Sequence, residues 1–371
     1  MNAGQNKFQP PAAVLALVCG VLLTASAAGQ DFAIDTIAGN GRPGNNGDRG
    51  VATEISIDQP FGVEIGPEGG LYVCEVGQHR IRRVDLATGR IETVAGSGRR
   101  GYQGDGGPAI EAELNEPYEV RFDRQGNMLW VEMQNHVVRR LERASGRIST
   151  LAGTGKPGYG GDGGPATAAS FRQPHSIALD SAGAIYIADI GNHRIRRIDP
   201  TTGMIETIAG NGEKQLPRSG SLARGQPMLG PRALAVADGV LWIALREGNS
   251  IWQLGQASGQ VQVVAGGGRK GFRDGPDLQQ VTFNGPKGIA LGPSVIDVVD
   301  TENHAIRRID LQQKTLRTIA GRGPDGRGYG GDGGPATAAL LDRPHGICAA
   351  LDGTLYIGDT NNHRVRRLRP K

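Results

Sequence analysis

The chain has 371 residues, with 60 Gly, 3 Trp, 7 Tyr, 7 Phe and a formal net charge of +4. Gly at about twice its ordinary ~7% share calls for many tight turns, yet no Gly-X-Y period runs through the chain, which excludes collagen. So mild a charge argues against a nucleic-acid partner, and 3 Cys cannot form a disulfide scaffold, so a large core must hold the fold.

Residues 12–24, AAVLALVCGVLLT, form an apolar run with Lys7 before it and Ala25-Ser26-Ala27-Ala28 after it. The run falls short of the ~20 residues of a spanning helix and reads as a secretory leader, residues 1–28, cut near Ala27 or Ala28. The mature chain, 29–371, then carries +3, keeps only Cys74 and Cys348, and has no transmembrane segment. A secreted or periplasmic location is expected. In an oxidising compartment the two thiols are either bonded across adjacent repeats or buried and free.

Beyond the leader the chain repeats. "YIADIGNHRIRRID" at 186–199 returns as "YIGDTNNHRVRRL" at 356–368, with looser copies at 72–84, 130–141 and 297–310 and a degenerate "WIALREGNSIWQL" at 242–254. Ahead of each copy stands a Pro: Pro60, Pro117, Pro174, Pro231, Pro286 and Pro344, spaced by 57, 57, 57, 55 and 58 residues. Within the third copy SIALD (176–180), AIYIAD (184–189), RIRRID (194–199) and MIETIAG (204–210) alternate with period two between Gly, Asp, Asn and Pro, which predicts four short strands. Six such units predict an all-β fold, a six-bladed β-propeller of four-stranded antiparallel blades. The inner strands should start near 60, 117, 174, 231, 286 and 344. The sixth unit ends after its third strand, and "IDTIAG" at 34–39 is the spare strand that should close the last blade.

The P-x-[GS]-[IV]-A … L-Y-I-A-D-x-x-N-H-R-I-R-R pattern resembles NHL repeats over nearly the whole mature chain. It is most similar to bacterial secreted NHL-repeat proteins and to the NHL propeller of teneurins. NHL propellers of tripartite-motif proteins bind RNA, which the mild charge of an exported chain speaks against here. The resemblance extends distantly to amidating lyases, streptogramin lyases and gluconolactonase-like hydrolases, propellers with a metal at the axis. It implies His175 and His345 as the ligands, with Zn or Ca as the metal.

"GYGGDGGPATAA" occurs letter for letter at 158–169 and 328–339, with variants at 44–55, 101–112 and 271–283. It falls where the chain crosses from an outer strand to the next inner strand, and Pro165 with Ala166-Thr167 suits a short helical turn. Asp48, Asp105, Asp162 and Asp332 in these crossings read as turn holders rather than as a Ca²⁺ cage, which needs several carboxylates. Five G-x-G-x-x-G matches follow strands, but no βαβ unit accompanies them, so the dinucleotide reading fails. The D-x-x-N-H turns, one per repeat, read as structural. The Arg pairs 82–83, 139–140, 196–197, 307–308 and 366–367 should send one Arg to each side of a blade and form ion pairs between blades.

Individuality lies in the residue after each Pro: Phe61, Tyr118, His175, Arg232, Lys287 and His345. These should line the mouth of the central channel and could hold an anionic or glycan-like ligand. Glu64 and Arg121 should pair across the first two blades. No nucleophile, base or metal cluster stands out, so the expected function is a binding module for a protein, peptide or glycan at this mouth. A metal-dependent lyase or hydrolase at the same place is the alternative.

Overall fold

The computed structural model describes residues 31–371; the leader and its cleavage site lie outside the described residues. Six antiparallel sheets surround one axis. In the third blade Pro174–Leu179, Ile185–Asp189, Arg194–Ile198 and Ile205–Ala209 run from axis to rim in chain order. The blades that begin at Pro60, Pro117, Pro231 and Pro286 repeat this order, as expected. The last blade is composite: Ile347–Ala349, Leu355–Asp359 and Arg364–Pro370 are completed by Phe32–Ala38. Ile34 stands opposite Leu368 and Phe32 opposite Pro370, so the ring closes with no exposed inner edge. Two blades exceed the expected four strands: Arg49–Val51 and Ser221–Leu222, both in crossings, add a short fifth strand to blades one and four.

Period-two alternation places the core between blades. Ile187, Val131, Val138, Phe171 and Ile198 pack in one cluster that spans blades two and three, and similar clusters fill the other gaps. The two thiols, Cys74 and Cys348, are buried and unbonded. Burial pushes both well up, so they behave as small apolar residues.

The repeated crossing is a clamp for a buried arginine. The first Arg of each pair is fully buried. Arg196 lies 2.6 Å from Asp162 of the crossing and 3.6 Å from Asp189 at the end of its own second strand. Arg366 repeats this with Asp332 at 2.6 Å and Asp359 at 3.1 Å, and Arg139 with Asp105 at 2.7 Å and Glu132 at 3.3 Å. Tyr159 and Tyr329 of the crossings lie over the guanidinium groups of Arg196 and Arg366, at 5.2 and 5.1 Å, and donate their hydroxyls to Asp162 and Asp332. Pro165 leads into a single 3-10 turn, Ala166–Ala168. Gly161 and Gly331 hold φ of +87° and +88°, and a Cβ there would stand 2.6 and 2.7 Å from the Cα of Ala169 and Ala339. The Tyr, the Asp, the Pro and the second Gly of the Gly-Gly pair before the Asp thus each have a part in the clamp or its turn.

This corrects the expected direction of the Arg pairs. The ion pairs stay within a blade and its incoming crossing. The second Arg lies on the other face and meets partners of its own blade, as Arg197 does with Asp199 and Glu206, both at 3.5 Å. Ions between blades occur elsewhere, and Arg121 to Glu64 at 3.2 Å is one, as expected.

Blade four loses the clamp as a unit. Leu245 and Trp252 occupy the places of Asp189 and Arg196 and pack in one core cluster, and the incoming crossing has lost the G-D-G-G motif. A buried ion pair and a well-packed apolar pair are energetically interchangeable, whereas half of an ion pair is not. Arg196→Ala, which strands Asp189 and Asp162, should therefore cost about 3–5 kcal/mol in urea unfolding. Arg197→Ala, on the partly solvated face, should cost under ~1 kcal/mol. Equal losses would refute the assignment of the clamp.

Candidate functional site

Each blade delivers one side chain to the axis through the same local device. The residue before the inner-strand Pro adopts a left-handed backbone: Gln59, Glu116, Gln173 and Arg343 have φ of 54°, 55°, 53° and 49°, and Gly230 and Gly285 take this place in blades four and five. For a residue with a Cβ this is uncommon and must be held by its surroundings. What holds it is a histidine of the preceding blade. The amide N–H of Gln173 donates to His136 Nδ1 at 3.1 Å, and that of Arg343 to His304 Nδ1 at 3.0 Å. Glu116 uses His79, Gly230 uses His193, and Gln59 closes the ring on His363 at 3.3 Å. In blade four Asn249 replaces the histidine, and its side-chain oxygen accepts from Gly285 N at 3.0 Å. The D-x-x-N-H turn thus works through its last residue, itself left-handed, as an inter-blade latch.

After the latched residue and the Pro comes a bulge. The inner-strand register slips between Pro174 and Ser176, Pro117 and Glu119, Pro231 and Ala233, Pro286 and Gly288, and Pro60 and Val63. The residue skipped is the post-Pro residue. A bulge frees a side chain from the sheet's alternation and re-aims it. In blade six the regular strand starts only at Ile347, later than expected, and His345 precedes it.

The structure brings Phe61, Tyr118, His175, Arg232, Lys287 and His345 together around one cavity of about 280 Å³. All but the half-buried Tyr118 are buried rather than standing on a solvated rim. Arg246 and Arg343 also line it, and sequence reasoning missed both. Arg343 had a signal, because it holds the position just before Pro344. Below this mouth the channel narrows to a waist with about 10 Å³ of free space, where Glu119 and Arg121 meet. The opposite mouth, about 450 Å³, is lined by Ile65, Phe122, Leu179, Val236 and Leu291 around the Glu64–Arg121 pair. The axis is therefore two separate depressions, and the upper one ends blind.

Four cations line the upper cavity, Arg232, Arg246, Lys287 and Arg343, and among the described residues no carboxylate stands in its wall. Burial pulls Lys287 down to about 8, against its ion pair with Glu302 at 2.9 Å, and pulls Arg232 down to about 10. The two histidines are held well below their ordinary value by burial and by the neighbouring Arg232 and Lys287. His175 Nδ1 lies 2.6 Å from Gln173 O and His345 Nδ1 2.9 Å from Arg343 O. A carbonyl takes only a donor, so both rings carry the proton on Nδ1 and present Nε2 as an acceptor. His345 Nε2 faces Lys287 Nζ at 3.4 Å.

This donor set does not suit a divalent metal. A catalytic Zn²⁺ takes three protein ligands, and among the described residues no group of three or more His, Cys, Asp or Glu is placed to hold one. The cations beside His175 and His345 would repel it. The crossing carboxylates Asp48, Asp105, Asp162 and Asp332, read above as turn holders, are spent on the buried arginines.

The fold and this mouth define an NHL-type six-bladed propeller, a protein-binding type of fold. Residues 153–369 match the teneurin NHL domain, and the chain belongs to that family. It is 27% identical over 347 residues to the chloroplastic protein suppressor of quenching 1 of Arabidopsis thaliana, which covers 88% of this chain and 33% of that protein. The chain thus spans about one third of the length of that curated relative. Among solved structures it resembles an auxiliary nutrient binding protein from Bacteroides ovatus, with a TM-score of 0.66, 19% identity, and 92% of this chain and 77% of the other covered. It also resembles virginiamycin B lyase from Staphylococcus aureus, with a TM-score of 0.51, 17% identity, and 91% and 99% covered. At these identities the structural likeness is one of fold.

The latch can be tested through its proton. Burial lowers the pKa of His79, His136, His193 and His304 below the ordinary 6.5. A folded value below the unfolded one gives stability that is complete above ~6.5 and is lost as pH falls through the folded value. His193→Asn, which copies Asn249, keeps an acceptor that does not titrate. Relative to wild type the variant should gain stability as pH drops from 7 to 5, read by urea unfolding at each pH. A difference that does not change with pH would show that His193 does not act as a neutral acceptor.

Proposed function

We propose that this propeller is an exported recognition module that receives its ligand in the blind cavity at the upper mouth. One observation carries the reading. A framework repeated six times brings one residue per blade to the mouth, in five blades on a bulge, and the six are nearly all different. A residue kept for structure would be expected to repeat with the frame around it.

Export rests on the apolar run 12–24 with its small-residue end. Among the described residues no helix is long and apolar enough to cross a membrane. Binding needs no reacting group, and the mouth offers a pocket at the small end of ordinary ligand sites, ~300–1,000 Å³. A solved propeller of like fold from Bacteroides ovatus is an auxiliary nutrient binding protein, which supports a binding role for this mouth. The class of ligand supported is a peptide, protein terminus or glycan end narrow enough to enter the mouth. The metal-dependent lyase reading has the likeness to virginiamycin B lyase on its side, but the donor set that would carry it is opposed by Lys287 and Arg232.

Peptide and glycan arrays probed with the full chain should yield ligands whose affinity falls at least tenfold in Tyr118→Ala and in Arg246→Ala. Leu222→Ala, on the exposed rim of blade four, should leave binding unchanged. Full binding by both mouth variants would overturn the reading. Export predicts that N-terminal sequencing of the chain recovered from its native cells begins at residue 28 or 29; a chain that keeps residue 1 would overturn it.

A further inference from the structure

The upper cavity is divided by chemistry. On one side four rings follow each other through blades six, one, two and three. His345 stacks on Phe61 at 4.0 Å, Phe61 meets Tyr118 at 4.6 Å, and Tyr118 meets His175 edge-on at 4.7 Å. On the other side blades four and five present Arg232 and Lys287, flanked by Arg246 and Arg343.

The carboxylates nearby are already engaged. Glu302 serves Lys287 and Arg343, Glu247 serves Arg246, and Glu64 and Glu119 at the waist serve Arg121. Arg232 is left over. It is only 3% exposed, gives one hydrogen bond to Lys287 O at 3.3 Å, and lies 5.2 Å from the Tyr118 ring. Among the described residues no carboxylate is within ion-pair distance of it. Glu119 and Glu247 act on it only from beyond that distance. A guanidinium has five donors, and a buried one that holds no anion directly is costly. Its remaining donors border the cavity, where an arriving anion would meet them already desolvated and fixed.

We propose that the blind cavity recognises a small carboxylate carried on a ring, an acidic sugar or an aryl acid, with the carboxylate between Arg232 and Lys287 and the ring against Phe61 and Tyr118. This rests on the reading of the mouth as a ligand site and names what that site selects. The planar fork of Arg232 matches the two carboxylate oxygens, and Lys287 adds a point charge. The aromatic arc supplies contact area at little entropic cost, for either a sugar face or an aryl ring. A volume of about 280 Å³ and the closed waist limit the ligand to one or two rings that enter and leave by the same mouth.

The test uses the full chain with ¹³C-labelled histidine, so that His345 and His175 report from inside the cavity. Glucuronate and benzoate are titrated beside their neutral counterparts, glucose and benzamide. The expected result is a saturable shift of the His345 ring signals by at least one acid, and affinity at least tenfold weaker for its neutral counterpart. Lys287→Met and Arg232→Met should each weaken that acid at least tenfold. If one variant fails to fold, the other and the acid–neutral comparison on the wild type still decide. Equal binding of neutral and acidic forms would overturn the carboxylate proposal and leave the ligand site standing. If no acid moves His345 but a ligand from the arrays does, the proposal alone fails. If nothing moves it, the proposal and the ligand site fail together.

Discussion

A single neutral nitrogen governs how this ring is assembled. Each imidazole Nδ1 at a blade's second turn accepts one N–H from the start of the next blade, and Asn249 substitutes where blade four lacks the histidine. The bond is small, about 1 kcal/mol net for a typical hydrogen bond. Its effect lies in what it fixes. It holds a left-handed residue two positions ahead of the mouth side chain, and in blades three and six the carbonyl of that same residue sets the tautomer of His175 and His345. Blade spacing, the bulge and the protonation pattern of the mouth all follow from one acceptor that must stay uncharged.

The buried arginines do a different task. An inner strand at the axis and an outer strand at the rim are joined by a crossing rich in Gly, which has little side chain to pack. Asp162 and Tyr159 give that crossing something to grip, and Arg196 supplies the grip from the third strand. Removal of any one member exposes the others to a cost that none of them brings alone. Blade four shows the only cheap way out, which is loss of the acid, the arginine and the crossing motif together, with Leu245 and Trp252 in their place.

Much of this was legible in the sequence because it is periodic. The spacing of Pro60 to Pro344 gave the blade count, the missing strand after Leu368 pointed to Ile34, and position after each Pro located Phe61, Tyr118, His175, Arg232, Lys287 and His345 at one mouth. Features that depend on direction were not legible. Alternation predicts that adjacent arginines face apart, and they do, but it cannot tell whether a guanidinium turns to its own blade or to the next. The bulges add one residue to a strand with no change in composition. The narrow waist depends on how the inner strands of several blades converge around the Glu119–Arg121 pair of blade two, and no single repeat contains that information.

The clamps also bear on charge near the axis. In a clamp such as Arg196 with Asp162 and Asp189, one cation meets two carboxylates, and burial raises Asp189 to about 7, so the buried guanidinium is held close to charge balance. Blade four has no such clamp. Leu245 stands opposite Pro231, where blades one, two, three and five carry Asp or Glu opposite the corresponding Pro. The next residue is Arg232. A charge one strand away in a poorly solvated interior is felt far more strongly than the same charge in water. The degenerate repeat, which looks like decay when read as a copy of the others, is also the blade whose Arg232 lies at the axis without a direct ion pair among the described residues. Blade four, with Arg232 and Arg246, supplies two of the four cations of the mouth, and Lys287 and Arg343 come from blades five and six, whose clamps are intact.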